Sequence, residues 1–501
     1  MIKRKLLSVL LLLCAVACNG TLEVGIERTP TPDHAVAATL TALMAENSLL
    51  ATRVATMATP APPVLPDVGR VAYVQGGDIW IKVLPEGKPQ RLTTDGRNRE
   101  PRWSPSGEWL AFRKDKQVTV EQDVPCDIPK PRAVCTDRVA VMQKQVWLIE
   151  ANGSGAHPLN QGASVDAFAW SPAGDRVAYS VAAQGLSTIN ADGTDSITLV
   201  SPAPPDRGNL ERLGRFAWSP DGAWVAYEWW RQLSDQSSAY QGLWKVSGDG
   251  KERLELYNSG LPKKGEVVLA GWSPLGKTVL FWQSEVPLAS LADGMAFYAV
   301  PAEKPSPKAS APVRLDTEAV LTYADFVAPA PSGTIWGGRD AIALIEGGGR
   351  SAWKNKRIQV GGQTITPKNL AAVSPDWSPK GTHVAFSAMP DWTGPGTADP
   401  VQSESMQRRI WVTNVVGEPQ SRRLTDSAGY RDERPLWSAD GNHILFVRMD
   451  TKGRVSLWIA SLDQGALRQV VDELTPAPDP LGFYGHVDWD ALFDWWRGAT
   501  A

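Results

Sequence analysis

From Gly69 onward the chain is written in short apolar runs of four to six residues, many alternating with polar positions. Each run closes in a cluster of Gly, Pro, Asp, Asn or Ser. Stretches such as "RVAYS", "QVWLIE" and "RIWVTNV" have the two-residue period and the β-branched and aromatic content of strands, and the clusters between them are turns. Helical periodicity occurs only before this region. Val36, Leu40, Leu43, Asn47, Leu50, Val54 and Met57 recur at steps of four and three, with Asp33 placed to cap the first turn. This predicts a helix over about 33–57, either a short coiled coil that weakly pairs copies of the chain or a lone helix in a spacer.

One strand–turn–strand sentence recurs six times: "PRWSPSGEWLAF", "FAWSPAGDRVAY", "FAWSPDGAWVAY", "AGWSPLGKTVLF", "PDWSPKGTHVAF" and "PLWSADGNHILF". Its tryptophans are Trp103, Trp170, Trp218, Trp272, Trp377 and Trp437, at spacings of 67, 48, 54, 105 and 60 residues. The double-length gap predicts a seventh, degraded unit at "FVAPAPSGTIWGGRD", which keeps a Pro-Ser-Gly turn and lacks the Trp. In the turn, Ser opens, Pro sets φ and Gly takes the left-handed position. A third strand with an aromatic, a polar Gly turn and a fourth strand complete each unit. A four-stranded sheet of this kind has two apolar faces, and stacking sheets around an axis buries both. The motif tryptophans would then sit between blades.

The ends suggest ring closure. "GRVAYV", "DIWIKV" and "QRLTTDG" read as strands two to four of a blade without a first strand, and "GHVDW", ending at Trp489, as a first strand with nothing after it. The expected fold is all-β: one closed propeller over 69–499 with eight blades, or seven if the unit near Phe326 is not a blade. The repeated Trp-Ser-Pro-Asp-Gly turn resembles the TolB-type, WD-like β-propeller repeat family over about Gly69 to Trp496. The resemblance implies the fold. Proteins of that fold serve as scaffolds, ligand binders, lyases and peptidase accessory domains, so it implies no single activity.

Composition changes the picture at the N-terminus. Lys3, Arg4 and Lys5 precede an apolar stretch from Leu6 to Val16, then small Ala17 and Cys18. This resembles a bacterial lipoprotein signal over 1–17, with Cys18 lipidated and residues 18–68 forming a Pro-rich, helix-containing tether. The expected location is extracytoplasmic, anchored to a membrane. There disulfides persist, and Cys126 and Cys135, closing a short Pro-rich loop, read as a stapled hairpin stabilised by about 2.5–3 kcal/mol. Formal net charge is −3, with no strongly basic half, which disfavours nucleic acid as a partner.

Insertions should gather on one face, between strands two and three and between blades, while short turns leave the other face smooth. The loop face is the place for recognition. Candidates there are Trp230, Tyr240 and Trp392. The charged residues entering strand one near the axis are Arg99, Glu100, Asp166, Arg212, Arg215, Arg431, Glu433, Arg434 and His486. Such a ring suits an anionic or sugar-like ligand, or pairs internally. No Gly-x-Ser-x-Gly elbow is present, and five scattered His suggest no metal centre and no cofactor. The expected function is a non-catalytic scaffold that binds a protein partner or cell-wall glycan. The alternative is a carboxylate-dependent polysaccharide lyase or hydrolase.

Overall fold

The structure is a computed structural model that describes residues 67–498, apart from 126–133, 161, 183, 204–209, 233–238, 260–265, 285–292, 304–310, 337, 395–402, 464, 477–478 and 480; the side chains of 122–137 and 232–240 are also outside the description. Cys18, the 33–57 helix, Cys126 and the Cys126–Cys135 pairing fall outside the described residues.

Eight four-stranded antiparallel sheets follow one another along the chain. Blades one to seven begin with the strands Asn98–Trp103, Val165–Trp170, Leu210–Trp218, Val267–Trp272, Val327–Pro329, Leu370–Trp377 and Tyr430–Trp437. The degraded unit is therefore a true blade, the fifth. Blade eight joins both ends of the ring. Arg70–Gln75, Asp78–Val83 and Gln90–Arg91 come from the N-terminal side, and Phe493–Trp496 supplies the first strand, with Tyr73 opposite Phe493 and Arg70 opposite Trp496. This corrects the expectation that "GHVDW" is that strand. Gly482 and Gly485 turn the chain there, both at positive φ, and Trp489 begins a 3-10 turn. Its indole is drawn to the buried Glu433 carboxylate at 2.6 Å, so the Val-x-Trp pattern serves a side-chain contact in place of a ladder.

The turn chemistry follows the residue order. In blade three the Gly222 N–H donates to the Ser219 carbonyl at 2.9 Å. The Ser219 hydroxyl donates to Asp221 at 2.5 Å and accepts the Trp224 N–H at 2.9 Å. Gly222 sits at φ +68, and a Cβ there would come within 2.5 Å of Ala173 in the neighbouring turn.

The blades are locked by a repeated pair. The motif Trp of each of six blades shares a buried core cluster with the Ala one residue after the strand-two Val or equivalent of the preceding blade. The pairs are Ala72 with Trp103, Ala111 with Trp170, Ala178 with Trp218, Ala226 with Trp272, Ala343 with Trp377, and Ala385 with Trp437. All six alanines are fully buried. A methyl leaves room for an indole, and burying the ring contributes a few kcal/mol per seam. Five of these indoles also donate across the seam to the carbonyl one residue before the preceding blade's wedge position: Trp170 to Arg102, Trp218 to Ala169, Trp272 to Ala217, Trp377 to Ala328 and Trp437 to Asp376, at 2.9–3.2 Å.

The largest departure from the blade plan is a hairpin in blade one. Trp109–Pro125 pairs with Val134–Glu150 over seventeen positions, far beyond its sheet. The backbone of Cys135 lies near its tip, opposite Val124.

Candidate functional site at the channel mouth

Strand one of each blade starts at the axis, on the face opposite the Ser-Pro-x-Gly turns. A basin of about 1370 Å³ opens there. Six of the nine ligand candidates line it: Arg99, Glu100, Asp166, Arg215, Arg434 and His486. Trp230 and Trp392 are not among its described lining residues. Trp230 is half-buried on strand Trp224–Gln232, and Trp392 is half-buried against Trp353, Ala371 and Met389, so neither is the free aromatic expected from its loop. The side chain of Tyr240 is outside the described residues. Arg431 and Glu433 are buried beneath the basin, and Arg212 is exposed outside its lining.

A local rule aims several of these side chains. Glu100, Ser374 and Arg434 each stand three residues before the motif Trp, each precedes a Pro, and each adopts positive φ (56°, 52° and 51°). Pro keeps the preceding residue out of the right-handed helical region. Here the strand answers with a bulge, seen as a register shift in blades one, six and seven. Bulges redirect side chains, and these three point theirs at partners around the mouth. Glu100 pairs with Arg113, whose other nitrogens donate to the carbonyls of Val165 and Asp166 in blade two at 2.7 and 2.8 Å. Arg434 clamps Asp490 through two bonds of 2.8 and 3.0 Å. Ser374 donates to Asp325 at 2.6 Å. Arg99 forms a fourth pair, two-pronged at 2.9 Å, with Asp115.

Between blade seven and the closing strand, the described residues of 475–492 form a strap along one side of the basin. His486 anchors it: its Nε2 lies 2.6 Å from Asp325 Oδ1, and its ring stacks on Tyr323 at 3.9 Å with 5° between planes. Burial pushes the Asp325 carboxyl up, but the charges of His486 and Arg434 and the Ser374 hydroxyl overcome this and hold it at about 2. Burial lowers His486, and Asp325 more than reverses that. The hydroxyl and the imidazole both bond the carboxylate and not each other, so the three form a clamp and not a base-activated nucleophile. Below them Glu433 accepts from Arg408, Arg431 and Trp489. Arg408 also donates to the Gly485 carbonyl at 2.8 Å and to Ala352 at 3.2 Å. A Cβ on Gly485 would meet the Trp353 ring at 2.4 Å, so the strap is seated where only glycine fits.

The pairing leaves Arg97 and Asp166 with no side-chain hydrogen bond or ion pair among the described residues, and Arg215, Asp488 and Asp479 exposed at the rim. Although the Asp488 side chain reaches solvent, the protein packed around it partly desolvates its carboxyl, and this, with the neighbouring Asp490, raises its pKa. Apolar surface adjoins them: Met142, on the long hairpin, and Phe483, on the strap, are 58% and 60% exposed. The basin thus offers charges of both signs beside apolar and aromatic surface.

No family model matches the chain, and no curated protein matches it in sequence. What it shares with solved structures is a fold. The dihydro-heme d1 dehydrogenase NirN, solved in complex with DHE, is 12% identical over 84% of this chain and 77% of its own, with a TM-score of 0.50. An oligogalacturonate lyase from Vibrio parahaemolyticus is 9% identical over 81% and 85%, at 0.40. TolB from Acinetobacter baumannii is 11% identical over 82% of this chain and 66% of its own, at 0.34. Identities this low extend to the propeller architecture alone.

Asp325, Ser374, Tyr323 and Asp490 were not singled out by the sequence reading. The one local signal was the residue-Pro-x-Trp spelling at positions 100, 374 and 434, which marks the bulges.

Proposed function

We propose that the protein is a non-catalytic scaffold, exported and tethered through lipidated Cys18, that binds a protein partner or cell-envelope glycan at its channel mouth. The observation that carries this reading is the basin itself. Its walls are rigidly paired, yet Arg97, Arg215 and Asp166 are left to solvent beside Met142 and Phe483. A preformed concavity that combines a few oriented charges with exposed apolar surface suits recognition of a polar polymer. The opposite face offers mostly tight turns.

The test uses the tethered protein. Wild type and the triple variant R97A/R215A/F483A are compared for co-sedimentation with purified cell-wall sacculi and for partner capture from membrane extract. Wild type is expected to retain one of the two, and the variant to lose it about tenfold. Equal retention by both proteins would overturn the assignment. Cys18→Ala should release the protein from membranes, and continued attachment would refute lipidation there.

A second reading, a carboxylate-dependent lyase or hydrolase, draws on one observation, the raised Asp488 beside Asp490 at the same mouth. A carboxyl whose pKa is raised beside a second carboxylate is a candidate general acid. Release of reducing ends from envelope polysaccharide, lost in Asp488→Asn, would favour it over the scaffold.

A further inference from the structure

One seam breaks the pairing rule that locks the blades. Between blades four and five the Ala position holds Leu280, and the Trp position holds Pro329, which lies opposite Ile342 as Trp218 lies opposite Val225. Neither half of the lock is present. The seam between blades seven and eight also departs, with Leu445 in the Ala position, but Trp495 remains there and turns its indole to the Val68 carbonyl at 3.1 Å.

The same seam carries a second departure. Where the other motif blades have a four-residue turn, blade five inserts a small hairpin, Ile335–Trp336 paired with Arg339–Asp340. This corrects the expectation that the turn face is uniformly smooth. Trp336 lies against Gly361 of its own blade so closely that a Cβ there would come within 2.1 Å of the ring. Between this flap and blade four lies a cleft of about 730 Å³, within the size range of small-molecule sites. Leu280, Ala299, Leu315, Ile342 and Leu344 form its apolar walls.

The charges of the cleft are unequal in availability. Its carboxylates are already engaged, Asp316 by the Arg314 guanidinium and the Phe297 N–H, and Asp340 by the Leu275 N–H. Lys277 and Arg339 are exposed and make no side-chain hydrogen bond or ion pair among the described residues. No indole fills this seam: Leu280, Ile342 and Leu344 are buried against their neighbours there, and the cleft opens along their edges, under an aromatic flap and beside Lys277 and Arg339.

We propose that this cleft binds a small planar aromatic acid, its ring between the blade-four and blade-five sheets and its carboxylate on Lys277 and Arg339. Apolar walls supply the ring's affinity, and the cations select the anionic form. The site lies on the face opposite the channel mouth and does not depend on the function proposed there.

Indole-3-acetate and indole serve as probes, measured by titration calorimetry with the full chain. Wild type is expected to bind indole-3-acetate at least about tenfold more tightly than indole. L280A/P329W restores the Trp–Ala lock, and should lower binding of both probes at least about tenfold. K277E/R339E alters only exposed side chains, so it tests the site even if the repacked variant does not fold. It should remove the preference for indole-3-acetate and leave indole within about twofold. Absence of saturable binding to wild type, equal affinity for the two probes, or an indole-3-acetate affinity that K277E/R339E leaves unchanged would overturn the proposal.

Discussion

Five of the six wedge tryptophans meet two demands at once, filling the space left by a methyl and donating the indole N–H across the seam; Trp103 meets only the first. Trp218→Ala removes the packing against Ala178 and the bond to the Ala169 carbonyl. It should cost about 3–5 kcal/mol, read from denaturant unfolding. Ala178→Leu tests the same seam from the other side, since a larger residue overpacks it at about 1–3 kcal/mol. A destabilisation below about 0.5 kcal/mol for both would mean the seam does not depend on the pair. The His486–Asp325 clamp makes a pH prediction. Asp325 falls from an ordinary 3.8 to about 2, so its stabilisation is complete above pH 3.8 and disappears as pH drops toward 2. His486 is raised above its ordinary 6.5, so its stabilisation is complete below pH 6.5 and is lost as pH climbs through the raised value. The clamp is tightest between these limits. Hydrogen exchange of strap amides in wild type and His486→Gln should differ most there and converge at alkaline pH; a difference independent of pH would reject the clamp.

At the scale of the element, the first strands of blades one, six and seven are bent by a bulge whose central residue is left-handed without being glycine. Such a conformation costs about 1–2 kcal/mol for a residue with a Cβ. At position 374, with φ 52°, the cost can be separated from the side-chain bond. Ser374→Ala keeps the strain and loses the hydrogen bond to Asp325, and should destabilise by about 1.5–3 kcal/mol. Ser374→Gly loses the same bond but releases the strain, and should be about 1 kcal/mol more stable than the alanine variant. In an ordinary strand the order would be reversed, so a more stable alanine variant in thermal unfolding would show the bulge is not strained. The residues that bulges present at the mouth are thus held by backbone geometry as well as by their partners.

For the whole molecule, stability depends on closure. Blade eight takes one strand from the C-terminal side and three from the N-terminal side, and the strap that leads to it is pinned by His486, Arg408 and Trp489. Ending the chain after Leu492 removes Phe493–Trp496 and strips Val71 and Tyr73 of their ladder partners. Limited proteolysis within 69–91 should then accelerate about tenfold, equivalent to about 1.4 kcal/mol of lost protection against local opening. An unchanged cleavage rate would mean that the ring does not need this strand.

The recurring Trp-Ser-Pro-x-Gly sentence, the turn chemistry and the strand period are local properties, and they determined the four-stranded blade and the expectation of a closed ring, while the choice between seven and eight blades and the identity of the closing strand, Phe493–Trp496, came from the folded chain. They also located the mouth, because strand one enters at the axis wherever the motif Trp ends it; that is why Arg99, Glu100, Asp166, Arg215 and Arg434 were found together, whereas His486 was singled out on a strand reading that the fold corrects and reaches the mouth on the strap. Three further matters were decided only in the folded chain. Asp325 meets His486 across 161 residues, and Trp489 meets Glu433 across 56, so the strap could not be told from a strand by its own pattern. The cleft between blades four and five lies at the seam where Leu280 stands in the Ala position and Pro329 in the Trp position, and these positions face each other only once two sheets pack. Local spelling determines what depends on neighbours in the chain. Burial, pairing of charges and the filling of space between sheets depend on neighbours in space, and the tertiary structure alone supplies those.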